Sequence, residues 1–289
     1  MKYIYKGIKD FNLDHIFDCG QCFRWTKQED GSYTGIAFGR VVNMQVAGDN
    51  KDELVIDGCC EEDFNNIWWP YLDMGRDYGA VKVTLAEGDD IMARAIESGT
   101  GIRILKQDLW ETMVSFIISQ NNNIPRIKGC IEKLAKLAGE KAGEYGGEEY
   151  YNLPTPEVLS KMTAEDLAPI RLGYRAPYLI ETARQVISKG GMDAVAAELA
   201  AIDNPDEACE YLRQFQGIGP KVASCIALFG LARLDAFPID VWVRRVMNRL
   251  YNIEEKDVKG MSAYAKEHFG PSGGIAQQYL FYYIRGLEE

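Results

Sequence analysis

Two side chains in this sequence are placed to work next to a phosphate. Lys221 closes the stretch Gly217-Ile218-Gly219-Pro220-Lys221, and Asp240 follows it by nineteen positions at the end of Phe237-Pro238-Ile239-Asp240. Glycines on either side of one apolar residue let the chain reverse tightly, because glycine enters the left-handed region without steric cost. Pro220 suits the first position of a helix, where its missing N–H is no loss. The amides left free at that helix start, together with those of the turn, form a cradle for a phosphate. Gly217 and Gly219 are therefore candidate phosphate-binding positions. A lysine amine just inside such a site is a candidate nucleophile, provided its pKa falls from ~10.4. Burial or a nearby cation would lower it, and the positive end of the helix acts the same way. Asp240 is placed to cap the next helix and, while ionised, to stabilise positive charge developing beside it.

The stretch GIGPKVA followed by PID resembles the helix–hairpin–helix DNA glycosylases. Four further stretches narrow the resemblance to 8-oxoguanine DNA glycosylases of the Ogg type: GQCFRW at 20–25, SQNNNIPRIKG at 119–129, LGYRAPY at 172–178 and GPSGGIAQQYLF at 270–281. Together they span nearly the whole chain. The resemblance implies a bifunctional repair enzyme, an N-glycosylase with lyase activity at apurinic or apyrimidinic sites. It would act on double-stranded DNA containing 8-oxoguanine, preferably opposite cytosine, as a monomer without cofactor or metal. Such an enzyme must first rotate the damaged base out of the stack. Lys221 would then displace the base, form a Schiff base with the opened sugar and release the strand by β-elimination. Asp240 would stabilise the cationic sugar.

The same resemblance assigns base recognition to Gly20, Cys225, Gln277 and Phe281. The extruded purine would stack between Cys225 and Phe281, and Gln277 would bond its Watson–Crick edge. The Gly20 carbonyl would accept from N7–H, which 8-oxoguanine has and guanine lacks. Asn121, Arg126, Tyr174 and Arg175 would fill the vacated space and read the opposite cytosine, whose O2 and N3 acceptors suit arginine donors. One position departs from the family pattern: a histidine commonly stands two residues after the aspartate, and here it is Trp242. Tryptophan donates one N–H but holds no charge.

Other chemistries fit less well. No Gly-Lys-Ser/Thr follows the glycines, so a phosphate-binding P-loop fails. His15 and His268 are the sole histidines, and neither has a recognisable partner in sequence. A glycosylase of the same fold for another oxidised or alkylated base is the nearest enzymatic alternative. A non-catalytic hairpin module that merely holds DNA would not need Lys221 and leaves the other four stretches unexplained.

The elements that must position these residues divide the chain into an α+β class fold. Residues 1–100 are expected to form an antiparallel sheet domain, and 101–289 a mainly helical body with two lobes, at about 108–219 and at 101–107 plus 220–289. Within 21–57, Phe23 and Trp25 are expected on one strand face, with turns at Asp30-Gly31 and Asp49-Asn50 and alternating Val42, Met44 and Val46 between them. Helices are expected at 61–69, ended by Pro70, and at 89–98. Asp108 and Glu111 form a capping-box pattern opening a helix that is apolar on nearly every side. Ile124, Ile127, Ile131, Leu134 and Ala138 mark the next helix. Gly139 to Gly147 reads as a polar loop. Further helices are expected near 156–169, 175–189 and 192–201, with a last one beginning near Ala265.

Composition limits the setting. With 289 residues and 47% apolar content the chain can bury a sizeable core. No run reaches the ~18 uncharged apolar residues of a membrane span, and the start lacks a secretory apolar region. A cytoplasmic, DNA-associated protein is expected. Seven cysteines without framework spacing point to reduced thiols, and Cys19-x-x-Cys22 has no second ligand pair for a metal. No cysteine follows Cys225, which excludes the iron–sulfur loop of some hairpin glycosylases. The net charge of −11 argues against general nucleic-acid affinity. However, Lys or Arg at 213, 221, 233, 244, 245 and 249 face only Asp235 and Asp240 within the central segment. A basic groove on an acidic body is expected.

Overall fold

Alternation in the first sixty residues produces a five-stranded antiparallel sheet. The computed structural model describes residues 1–288. Its strands are β1 (Lys2–Lys6), β2 (Trp25–Lys27), β3 (Tyr33–Ala37), β4 (Arg40–Ala47) and β5 (Glu53–Asp57), in the spatial order β1-β5-β4-β3-β2. Met44 lies opposite Tyr33 on one side and Ile56 on the other, so the inward residues of three strands meet. Val42, Met44, Leu54 and Ile56 are fully buried. Trp25 anchors this core, stacked on Phe17 with centroids 4.1 Å apart and donating its indole N–H to the Tyr71 hydroxyl at 2.8 Å. A Cβ at Gly35 would lie 2.4 Å from the Trp25 ring, so this strand position has room for glycine alone.

Several sequence expectations need correction. Strand β1 had no turn signal to mark it. Phe23 lies outside β2 and packs on Phe116 in the helical core, with ring centroids 5.7 Å apart. Pro70 does not end its helix: a π-helical segment, Phe64–Trp68, precedes it, and helical structure continues to Tyr71. The polar stretch after Gly139 is a hairpin of β6 (Lys141–Tyr145) and β7 (Glu148–Tyr151), turning at Gly146 and Gly147 with φ of 62° and 83°. The expected helix at 156–169 is limited to Pro156–Leu159 and a 3-10 turn at Ala168–Ile170. The final expected helix is two, Val258–His268 and Gly273–Glu288, broken at Gly270, whose φ is +51°.

The helical body is built around Leu109–Ser119, whose N-terminus Asp108 caps by accepting from the Glu111 amide at 2.8 Å. Eight of its residues are buried, which explains the absence of a polar face. It packs against the helix Pro220–Gly230, with Phe116 stacked on Phe229 at 5.5 Å. The helix Asp90–Ser98 packs against Gly273–Glu288, placing Met92, Ala95 and Ile96 in this same core. Arg103, 3% exposed, ties the connection together by donating to the carbonyls of Leu72 at 2.9 Å and Asp73 at 2.7 Å.

Candidate functional site

The hairpin forms as its residues dictate, with one refinement. Gly217 has φ of +80°, and a Cβ there would lie 2.7 Å from the Tyr178 ring. Gly219 has an ordinary φ of −85° and open space where a Cβ would be, so it keeps the approach to the amides clear. Pro220 is the first residue of the helix Pro220–Gly230, and Ala223 donates back to the Gly219 carbonyl at 2.9 Å. No side chain caps this helix, so its leading amides are available to an anion. The hairpin is braced from behind: the Thr182 hydroxyl donates to the Gln216 carbonyl, and the Gln120 amide donates to the Gly217 carbonyl at 2.9 Å.

Lys221 is half-buried at the wall of a cavity of about 440 Å³, its ammonium 5.2 Å from the centre of the Phe116 ring. Burial is the largest single influence on its pKa and acts downward. The interaction with Cys225 and the charge of Asp240 outweigh it, and the net direction is upward. The lowered pKa expected from sequence is therefore not found, because Cys225 and the carboxylate needed for the sugar both favour the ammonium. Burial pushes the Cys225 thiol up, more than Lys221 brings it down.

Asp240 caps the helix Val241–Tyr251, its Oδ1 accepting from the amides of Trp242 and Val243, both at 2.9 Å. Trp242 lines the cavity, and the Arg245 guanidinium lies 4.9 Å from its ring centre. The position that departs from the family pattern thus carries an arginine on its aromatic face.

Gly20, Cys225, Gln277 and Phe281, remote in sequence, line this one cavity together with Lys221 and Asp240. Gly20 has φ of +77°, which favours glycine, and a Cβ there would press on the Phe281 ring at 3.2 Å. Its loop is held by Gln21, fully buried, whose amide donates to the carbonyls of Ile16 and Arg103, both at 2.8 Å, and accepts from the Leu105 amide at 2.9 Å. Cys19 and Cys22 are buried thiols directed at main-chain carbonyls, and burial pushes the Cys19 thiol up to about 12.

The four positions expected to face the opposite base separate into two kinds. Asn121 is exposed, in the left-handed region with φ of 47°, and Tyr174 is 47% exposed. Arg126 is exposed and donates to the Arg171 carbonyl at 3.2 Å. Arg175, in contrast, is 5% exposed. Its guanidinium donates to the carbonyls of Gln120 and Asn121, the latter at 2.9 Å, and lies 4.5 Å from the Tyr174 ring centre. It thereby shapes the Asn121 loop from within the fold. Arg233 also departs from the expected basic groove, donating to main-chain carbonyls at 202 and 203.

Three glutamines were missed by sequence reasoning: Gln21 and Gln120, which hold loops, and Gln278, 3% exposed and on the cavity wall. The Gln277-Gln278 doublet, three and four positions before Phe281, was a legible signal for the last.

Comparisons with known proteins fit this arrangement. Residues 3–113 match the family described as 8-oxoguanine DNA glycosylase, N-terminal domain, and residues 114–271 match the HhH-GPD superfamily base excision DNA repair protein. An N-glycosylase/DNA lyase of Saccharomyces cerevisiae is 30% identical over 276 residues, covering 83% of this chain and 68% of the relative. The Clostridium acetobutylicum 8-oxoguanine glycosylase/lyase, solved with dsDNA containing cytosine opposite 8-oxoG, superimposes with a TM-score of 0.92 at 42% identity, covering 99% of this chain and 96% of that one. MBOgg1, solved with a low-affinity DNA ligand, gives a TM-score of 0.93 at 45% identity, covering 100% and 96%.

Proposed function

The chain belongs to the HhH-GPD superfamily of base excision DNA repair proteins, with an amino-terminal domain of the 8-oxoguanine DNA glycosylase type, and on that premise we propose that it excises 8-oxoguanine from duplex DNA and then nicks the strand. The observation that carries this reading is the convergence of Gly20, Cys225, Gln277 and Phe281 on a cavity bordered by Lys221 and Asp240. The free amides of the Pro220–Gly230 helix and of its hairpin take a phosphate of the damaged strand. The extruded base enters the cavity between Cys225 and Phe281, with Gln277 at its Watson–Crick edge and the Gly20 carbonyl accepting from N7–H.

The Lys221 amine, once deprotonated, forms a bond to C1′ as the C1′–N9 bond breaks and the base leaves with the electron pair. Asp240 stabilises the cationic sugar in that transition. Ring opening gives the lysine Schiff base, and loss of a C2′ proton expels the 3′ phosphate by β-elimination. Arg126 reads the opposite base, while Arg175 positions the loop carrying Asn121 and the Tyr174 ring. The protein acts as a monomer, with no metal or cofactor in the chemistry.

The test is borohydride trapping on a duplex carrying 8-oxoguanine opposite cytosine. Wild type is expected to release the base and form a covalent adduct; Lys221→Gln is expected to bind the duplex and form none. An adduct at wild-type yield from Lys221→Gln would assign the nucleophile elsewhere. No base release by wild type would remove the reading.

A further inference from the structure

Gln278 is buried against the cavity with its carbonyl oxygen unpartnered among the described residues. On the helix Gly273–Glu288, positions 277, 278, 281 and 285 share the cavity-facing side, as steps of one, three and four place them. Gln277 and Gln278 are each 3% exposed. The Gln278 Nε2 donates to the Gln277 Oε1 at 3.0 Å. Reversing the Gln278 amide alone would set two carbonyl oxygens against each other, so the two amides are oriented as a pair. The Gln278 Oε1 has no hydrogen-bond partner among the described residues. A buried acceptor without a donor is costly, and on the wall of a binding cavity a small rotation of the side chain brings it to a donor of the ligand.

Together the two amides present a defined order of groups: the Gln277 Nε2 as donor, the Gln277 Oε1 with a second lone pair as acceptor, and the Gln278 Oε1 as acceptor. Cytosine offers guanine that same donor–acceptor–acceptor order through N4–H, N3 and O2. The complementary edge is O6, N1–H and the 2-amino group. An adenine-type base offers an amino donor and a bare N1 and has no 2-amino group, so it mismatches at each place.

We propose that Gln278 is a specificity-determining residue, its Oε1 accepting from the exocyclic 2-amino group of a guanine-type base while its Nε2 holds Gln277 in the reading orientation. This rests on the reading above, that the cavity takes 8-oxoguanine. The pair excludes oxidised adenine on the same side that it accepts oxidised guanine.

The experiment compares single-turnover excision of 8-oxoguanine and of 8-oxohypoxanthine, the same base without its 2-amino group, each opposite cytosine, by wild type and Gln278→Met. Any difference in extruding the two bases is common to both proteins and cancels in the ratio of ratios. The substitution removes the bond that holds Gln277 for both substrates and the 2-amino contact for the first alone, so 8-oxoguanine release is expected to slow about tenfold more than 8-oxohypoxanthine release, the scale of one hydrogen bond. Equal slowing of both substrates would reduce Gln278 to a support for Gln277 and overturn the proposal. Release of neither base by wild type would instead remove the reading of the cavity, and this inference with it. A crystal structure of Lys221→Gln with an 8-oxoguanine duplex decides independently of how the Met variant folds. A Gln278 Oε1 within about 3.2 Å of N2 is expected, and a separation beyond hydrogen-bonding distance overturns the assignment.

Discussion

Replacing Asp240 by asparagine and by alanine separates two functions that one carboxylate performs. Its Oδ1 accepts from the Trp242 and Val243 amides, both at 2.9 Å, and thereby caps the helix Val241–Tyr251. Asparagine can accept the same two bonds and alanine cannot. Asp240→Ala should therefore lose about 1 kcal/mol of stability, and Asp240→Asn only a few tenths. For a chain of this size 1 kcal/mol corresponds to about 2 °C in Tm. Both variants lose the charge next to Lys221, and with it the preorganised stabilisation of the cationic sugar, so both should excise about 10²–10³-fold more slowly. The sign of the pH effect is a further check. Asp240 is among the influences holding the Lys221 ammonium above its usual pKa. Its removal frees the amine at lower pH, and the rising limb of the pH–rate profile should move to lower pH in Asp240→Asn. Thermal melts and single-turnover excision from about pH 6 to about pH 9 provide the readout. Excision by Asp240→Asn within tenfold of wild type would refute the charge argument, as would a limb displaced to higher pH. An Asp240→Ala protein as stable as Asp240→Asn would refute the capping argument.

Burial, the largest influence, raises the Glu111 carboxyl from 4.5 to about 7, against the pull of Arg24 at 3.8 Å. The folded state therefore binds more protons than the unfolded chain between these values, and stability from this group falls as pH rises through that window. Arg24 keeps Glu132 at 2.8 Å. Glu111→Gln should thus raise Tm relative to wild type at about pH 8 and change it little at about pH 5; an increment that does not grow with pH refutes this. Arg126→Ala should narrow the preference for cytosine over adenine by up to about tenfold in single-turnover excision, and an unchanged ratio would assign opposite-base reading elsewhere. Arg175→Ala removes a buried guanidinium that ties together the carbonyls of Gln120, Asn121 and Leu172, and should cost about 2–3 kcal/mol in denaturant unfolding. It should slow excision opposite all four bases alike; a stable variant with an altered base ratio would make Arg175 a reader after all.

The sequence by itself determined what depends on near neighbours along the chain. The Gly217 turn, Pro220 at a helix start, the Asp108 and Asp240 caps and the alternation of β4 are fixed by φ preferences and by amides two or three residues away, and all are found. The family motifs also named Gly20, Cys225, Gln277 and Phe281, which the fold brings to one cavity. Tertiary structure decided what depends on distant neighbours. The hairpin after Gly139 has weak local signals, and its pairing is a matter of β7 and of packing against β4. Helical spacing cannot distinguish an arginine facing DNA from one satisfied by carbonyls at 120 and 121, as Arg175 is. The direction of the Lys221 shift follows from burial opposed by a thiol on its own helix and a carboxylate nineteen residues away, and their sum reversed the expected direction. Gln278 has meaning only beside Gln277 on the cavity wall, because an unpartnered oxygen costs free energy only once folding has buried it.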